Sequence, residues 1–178
     1  MKYSSLEDIF ILKLKSLYDI EHEIIKALPK MAKKASSPDL KAAFTEHCEQ
    51  SIGQKERLEE AFEILGKKPQ KTKVESIRGL VEDAKWLMDE DMTPEALDAS
   101  LIGAAQYVEH LEMAGYGTAR AWAEQLGYDD VAELLGETLT EEEETDQKLS
   151  QLAEDAMNVE AFMKSDKDED IDEEKEAD

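Results

Sequence analysis

Cysteine is all but missing from this chain: Cys48 stands alone, so no internal disulfide can form, in keeping with a reducing cytoplasm. Only 4 Pro and 8 Gly interrupt 178 residues, and no run alternates β-branched with polar residues, so strands are not indicated. Basic residues are also scarce. Against 44 Asp and Glu there are 21 Lys and Arg, a net charge of -23, which repels phosphate backbones and argues against a nucleic-acid partner. The same field draws cations, although charge of this size also serves to keep a protein in solution. No stretch reaches the length of about 18 uncharged apolar residues that a membrane span needs. The opening MKYSSLEDIFILKLK breaks its apolar run with acids and lysines, so neither a span nor a signal peptide is expected. A Gly-rich phosphate loop, a Ser in a strand-to-helix turn and Cys/His metal spacing are all lacking, which excludes nucleotide and nucleophilic chemistry of the familiar kinds.

What remains is rich in Ala, Glu, Leu and Lys, with 41% hydrophobic and 37% charged residues, the mix of a helix bundle. The length suits one domain and a tail. Residues 1–158 are expected to form the bundle. Residues 159–178, ending in KSDKDEDIDEEKEAD, have too little apolar surface to fold and are expected to form a flexible acidic tail.

Four long helices can be placed by their caps and faces. Ser4 and Ser5, with Glu7 and Asp8 behind them, read as a capping box for the first. Its inward face is Phe10, Leu14, Leu17, Glu21, Ile24, Leu28, Met31. Ser37 and Pro38 open the second and Gly66 closes it; its face is Leu40, Phe44, His47, Ser51, Gln54, Leu58, Ala61, Leu65. A shorter amphipathic helix from Val74 to Asp89 serves as a crossover, since about 16 residues at 1.5 Å rise return the chain roughly 24 Å along the bundle. Thr93 with Pro94 opens the third long helix and Gly127 ends it. The fourth begins near Asp129 and Asp130, with a face of Leu135, Leu139, Glu142, Asp146, Leu149, Ala153, Ala156.

The third long helix carries the most telling pattern. Ile102, Ala105, Glu109, Glu112, Tyr116, Ala119 and Ala123 alternate steps of three and four, so two acids lie on a face meant for a core. The polar intrusions of all four helices fall near mid-helix and are expected to meet at one level. Carboxylates about 4 Å apart repel by roughly 4 kcal/mol at an effective dielectric of 20. Several such repulsions exceed the stability of a whole domain, about 5 to 15 kcal/mol. The cluster must therefore protonate, hydrate, swing outward or hold a metal, and hard oxygen donors suit Mn, Fe(II), Mg or Ca.

The runs LYDIEHEIIKALPKMA, EHCEQSIGQKERLEEAFEILG and AAQYVEHLEMAGYGTARAWAEQLG resemble the YciE/YciF family of ferritin-like bacterial stress proteins, with the likeness covering about residues 5–157. That resemblance implies an all-α, ferritin-like up-down-down-up four-helix bundle with a short crossover helix between helices two and three. It also implies a homodimer and a likeness in shape to di-iron proteins; the functional expectation is a carboxylate-rich dinuclear or degenerate Fe or Mn site with a peroxide- or dioxygen-linked role. Mapped onto this chain, the ferritin-like pattern finds its first Glu at Glu21 and paired acids at Glu109 and Glu112. The second helix departs, offering His47 and Gln54 around Ser51 where Glu-x-x-His is expected. The fourth offers Glu142, or Glu143, with Asp146 and no His. The candidate ligands are thus Glu21, His47, Gln54, Glu109, Glu112, Glu142 and Asp146.

Each has a plainer alternative. Glu21 and Glu109 can be core acids hydrogen-bonded to Gln106, Tyr107 or Gln54, and His47 a polar core residue. His22 and His110 sit about 100° round from inward acids, and Tyr116 and Trp122 can simply pack. In that second reading the protein is a non-enzymatic stress or interaction protein whose acids are protonated or hydrated.

Overall fold

The computed structural model describes residues 3–164. Five α-helices dominate: α1 (Leu6–Lys34), α2 (Pro38–Ile64), α3 (Glu75–Asp89), α4 (Pro94–Leu126) and α5 (Asp129–Leu152), the last passing into a π-helical turn, Ala153–Met157. No strand occurs among the described residues. Residues 158–164 are helical again, and the rest of the acidic stretch lies outside the described residues.

Local chemistry sets the helix ends. Ser5 accepts the Asp8 N–H while the Asp8 carboxylate accepts the Ser5 N–H, closing the capping box of α1 and satisfying donors that the first turn would otherwise leave unpaired. Ser37 before Pro38 and Thr93 before Pro94 cap α2 and α4 by accepting the Leu40 and Ala96 N–H groups. Gly127 ends α4 at φ 75°, where a side chain would be strained, and lets the Tyr128 N–H reach back to the Ala123 carbonyl at 2.9 Å.

α1 packs on α2 and α4, and α5 packs on the same two, so the long helices close a ring; α3 lies over α1 and α4. Partner residues give the directions. Tyr18 meets Glu59 and Cys48 meets Ile25 between α1 and α2. Arg57 meets Thr138 and Gln50 meets Thr145 between α2 and α5. Ser36 meets Asp98 where Glu21 meets Tyr116 along α1 and α4. Gln106 meets Ser150 where Gly136 lies beside Arg120 along α4 and α5. In every pair one number rises as the other falls, so all four neighbours are antiparallel.

The inward faces expected for α1 and α4 are buried in full, from Phe10 to Met31 and from Ile102 to Ala123. At Gly115 the α4 backbone comes so near α1 that an added Cβ would lie 2.8 Å from Leu17 Cδ2. On the other side of α4, Ala104 and Val108 lie opposite Leu80, Val81 and Ala84 of α3 around one small cavity, so this apolar side of α4 is covered by the crossover. The π-helical turn has no counterpart in the periodicity: its extra residue rotates the chain, so that Met157 is buried and Ala156 only partly so.

Two acids brace this frame. Asp19 on α1 accepts the Val74 N–H at 2.9 Å and both Arg78 nitrogens at 2.7 and 3.2 Å, fixing the start of α3; the Arg78 hydrogen bonds hold its carboxyl below the usual range. Asp98, buried on α4, accepts the N–H groups of Ser36 at 2.8 Å and Ser37 at 2.7 Å in the turn joining α1 to α2. Replacing it by Ala is expected to cost about 3 kcal/mol in urea unfolding, because two donors lose a charged acceptor. Asn, which keeps one acceptor oxygen, should restore roughly half. A loss below about 1 kcal/mol for Ala would mean that water serves those donors equally well.

Candidate metal centre

Midway along the ring each long helix turns a polar side chain inward: Glu21 from α1, His47, Ser51 and Gln54 from α2, Glu109 and Glu112 from α4, and Glu142 from α5, all buried. Helical spacing places His47, Ser51 and Gln54 on one face, and Glu109 and Glu112 one turn apart on another. Donor atoms of His47, Glu109, Glu112 and Glu142 all lie within 4.8 Å of one another. With metal–ligand distances of about 2.0–2.2 Å, donors on opposite sides of one ion stand about 4.4 Å apart and adjacent ones closer, so the four side chains are gathered at close to the span of a single ion's ligand shell.

Their hydrogen bonding is incomplete. Both oxygens of Glu112 and of Glu142, one each of Glu21 and Glu109, Oε1 of Gln54 and both ring nitrogens of His47 are buried without a hydrogen-bond partner. His47 Nε2 stands 3.2 Å from Glu109 Oε1, but its alignment falls short of a hydrogen bond. Unpaired polar atoms cost about 1–3 kcal/mol each, so a frame that gathers so many is suited to something that would bind them. The donor set, four carboxylates and one imidazole, fits Mn or Fe(II) better than Zn in a thiolate or imidazole site.

Burial dominates the electrostatics. It pushes the Glu21 carboxyl up to about 8, with the Glu142 charge adding to it, and Glu109 up to about 7. Glu112 and Glu142 are driven well above the usual carboxylate range, by burial first and then, for Glu112, by Glu142, Glu21 and Glu109. The Tyr116 hydroxyl donates to Glu21 Oε1, the one strong hydrogen bond in the cluster, and burial beside these acids raises its own pKa well above the ordinary phenol value.

The remaining candidates stand at the edge. Gln54 is buried and donates from Nε2 to Glu141 at 3.1 Å, leaving Oε1 buried without a partner. Asp146, partly exposed, accepts from Gln106 Nε2 at 3.2 Å and lies 3.6 Å from His110 Nε2, outside the group of four. Glu143 is exposed. The partners suggested for Glu21 and Glu109 are engaged elsewhere: Gln106 holds Asp146 and Ser150, and Tyr107 is 71% exposed. His22 is tied to the Tyr18 carbonyl at 2.7 Å.

Sequence reasoning missed Arg57 and Glu141. The Arg57 guanidinium binds Glu141 and the Thr138 hydroxyl, and Glu141 in turn holds Gln54, so an ion pair on the rim orients a buried amide. Nothing in the helical spacing signals it, because Arg57 sits on the shoulder of α2. Tyr116 was legible only as packing, although a phenol on an inward face one turn after Glu112 generally finds a polar partner.

Comparisons with known proteins bear on the family and the fold. Residues 5–162 match the family described as Domain of unknown function (DUF892). Protein YciF of Escherichia coli (strain K12) is 41% identical over 166 residues, covering 93% of this chain and 100% of YciF. The crystal structure of that E. coli stress protein superposes with a TM-score of 0.85 over 88% of this chain and 99% of its own, at 41% identity. YcfI from Rhodopseudomonas palustris gives 0.81 at 40% identity, over 83% of this chain and 94% of its own. A protein from Xanthomonas campestris, 22% identical with a TM-score of 0.73 over 92% of this chain and 99% of its own, shares the fold. An all-helical chain matched along nearly its whole length, and 41% identical to YciF, belongs to the DUF892 family.

Proposed function

We propose that this protein is a ferritin-like, stress-associated metal protein whose long helices form an up-down-down-up bundle around an Fe or Mn site. One observation carries the reading: three carboxyls and an imidazole from three helices converge in a buried space, the Glu21 carboxyl of α1 lies beside them, and most of their polar atoms are unpaired. His47, Glu109, Glu112 and Glu142 would hold the ion. Glu21, whose carboxyl feels both Glu142 and Glu112, would add a fifth donor and extend the site toward a second ion. Gln54 and Tyr116 orient these acids, and Asp146 flanks them.

An ion held there would supply one-electron redox chemistry toward peroxide or dioxygen. The chain itself excludes bulk water from the donors, sets the Glu21 oxygen through the Tyr116 hydroxyl and stores protons on the acids until a cation displaces them. E. coli YciF is called a stress protein, and a stress role here rests on that kinship. A cytoplasmic homodimer rests on the family resemblance and the lone Cys48. Among the described residues no helix is long and apolar enough to cross a membrane. A second reading, a vacant protonated cluster in a protein with no metal function, is favoured by the Tyr116–Glu21 hydrogen bond, which satisfies one acid without an ion.

Metal analysis after anaerobic preparation, with Mn(II) and Fe(II) titrations, separates the two. The parent protein is expected to bind stoichiometrically, and Glu142→Gln to weaken binding by about 100-fold or more, whereas Asp146→Asn should change it by less than about threefold. Absence of stoichiometric binding by the parent under both conditions would leave the vacant reading standing. A large loss in Asp146→Asn would place that carboxylate among the ligands.

A further inference from the structure

A cavity of about 130 Å³ opens between α2 and α5. His47 and Glu109 form its floor, both at least nine-tenths buried and both with unpartnered atoms. Gln50 and Thr145, hydrogen-bonded to each other, form one wall. At the mouth Lys148 of α5 reaches across to the Glu46 carboxylate of α2, with Glu144 beside them. Both members of that ion pair are about half exposed, at 47% and 57%, so the bridge is a surface contact that opens at little cost. The cavity has room for about four waters at roughly 30 Å³ each, enough for a cation that still carries part of its hydration shell.

On the far side of His47 and Glu109 lies a second, smaller cavity of about 20 Å³ under α3, lined mainly by Ile24, Leu28, Val81 and Val108. An apolar space of that size cannot carry a hydrated ion. The two cavities meet the same pair of residues from opposite sides, one polar and one apolar.

We propose that the α2–α5 cavity is the port by which divalent cations reach the centre, and that the Lys148–Glu46 bridge is its gate. This rests on the metal reading of the centre. Lys148 is a cation set in the path of cations, and its neighbours Glu46 and Glu144 are acids. While the bridge is closed the lysine masks Glu46; once it is removed the mouth becomes purely acidic and concentrates cations. A gate remote from the ligands changes the barrier to passage and not the bound state, so uptake and release change by the same factor and the dissociation constant does not move.

The test follows Mn(II) uptake by stopped flow, and its release into excess chelator, in the full-length protein. Lys148→Met is expected to speed both by roughly tenfold at low ionic strength, with the gain shrinking as salt is raised. Ala43→Leu, which fills the port from its buried wall, should slow both by a similar factor. Ala104→Leu, which fills the cavity under α3, should leave them unchanged. Circular dichroism and an unchanged dissociation constant establish that each variant keeps its fold and its site. If Mn(II) binds with unaltered rates in Lys148→Met and Ala43→Leu, or is slowed by Ala104→Leu alone, the port is elsewhere while the metal reading stands. If the parent takes up no Mn(II), both fall together.

Discussion

Metal-stripped protein at pH 7.5 is expected to melt about 5–10 °C higher once Mn(II) or Fe(II) is present at a hundredfold excess over its dissociation constant. At that excess, binding to the folded state alone stabilises by about 2.7 kcal/mol, and a chain of this size gains roughly 2–4 °C per kcal/mol. The unfolded chain offers little competition, since His47, Glu109, Glu112 and Glu142 lie up to 95 positions apart in sequence and meet only when α2, α4 and α5 are assembled. Glu112→Gln should remove most of the shift and also raise the melting point of the metal-free protein, because an amide needs no proton to be buried. A shift of the same size in Glu112→Gln would assign it to cations on the acidic surface, where a net charge of -23 offers many weak positions.

Acidity supplies the second large effect, and its sign separates the metal-free from the metal-bound protein. Glutamates in the unfolded chain titrate near 4.3, while in the folded chain burial raises Glu21 to about 8, Glu109 to about 7, and Glu112 and Glu142 well above the usual carboxylate range. Between those limits the folded state holds more protons. Stability of the metal-free protein therefore falls as pH rises and is fully present only below the unfolded value. Each carboxyl that gains a proton on folding contributes about 1.4 kcal/mol per pH unit across its window. Acidifying from pH 8 to 5 should raise the metal-free melting temperature by about 10 °C or more. With metal bound the slope should flatten or reverse, since protons then compete with the ion. Relief of surface repulsion acts in the same direction as the buried acids in metal-free protein. The double variant Glu112→Gln, Glu142→Gln isolates the interior part, and an unchanged slope there would place the proton uptake on the surface.

The sequence reading succeeds where burial is absolute and stops where it is partial. Glu21, Glu109 and Glu112 were recognisable because each replaces an apolar residue on a stripe that is otherwise wholly buried. On α5 the choice was harder. The expected face took Leu139 and Asp146, whereas the buried seam runs through Leu135, Thr138, Glu142, Thr145 and Leu149. Threonine counts as polar in a pattern, yet it can face a core when its hydroxyl is satisfied locally, as Thr138 is by the Leu134 carbonyl and Arg57. Leu139 and Asp146 occupy the shoulder instead. The α2–α5 cavity was illegible for a related reason: it lies between two helices, with Ala43 of α2 and Thr145 of α5 both in its lining, and no single-helix periodicity records such a meeting of volumes.

The four ligands come from α2, α4 and α5, with Glu21 of α1 beside them, and the last, Glu142, belongs to the last of the long helices. A nascent chain released only through α4 has all the other donors but no closed interior to hold them. On the metal reading, loading is therefore a late event in biogenesis, and a polypeptide stalled before α5 docks exposes its acids to water, where they would have little hold on a transition metal.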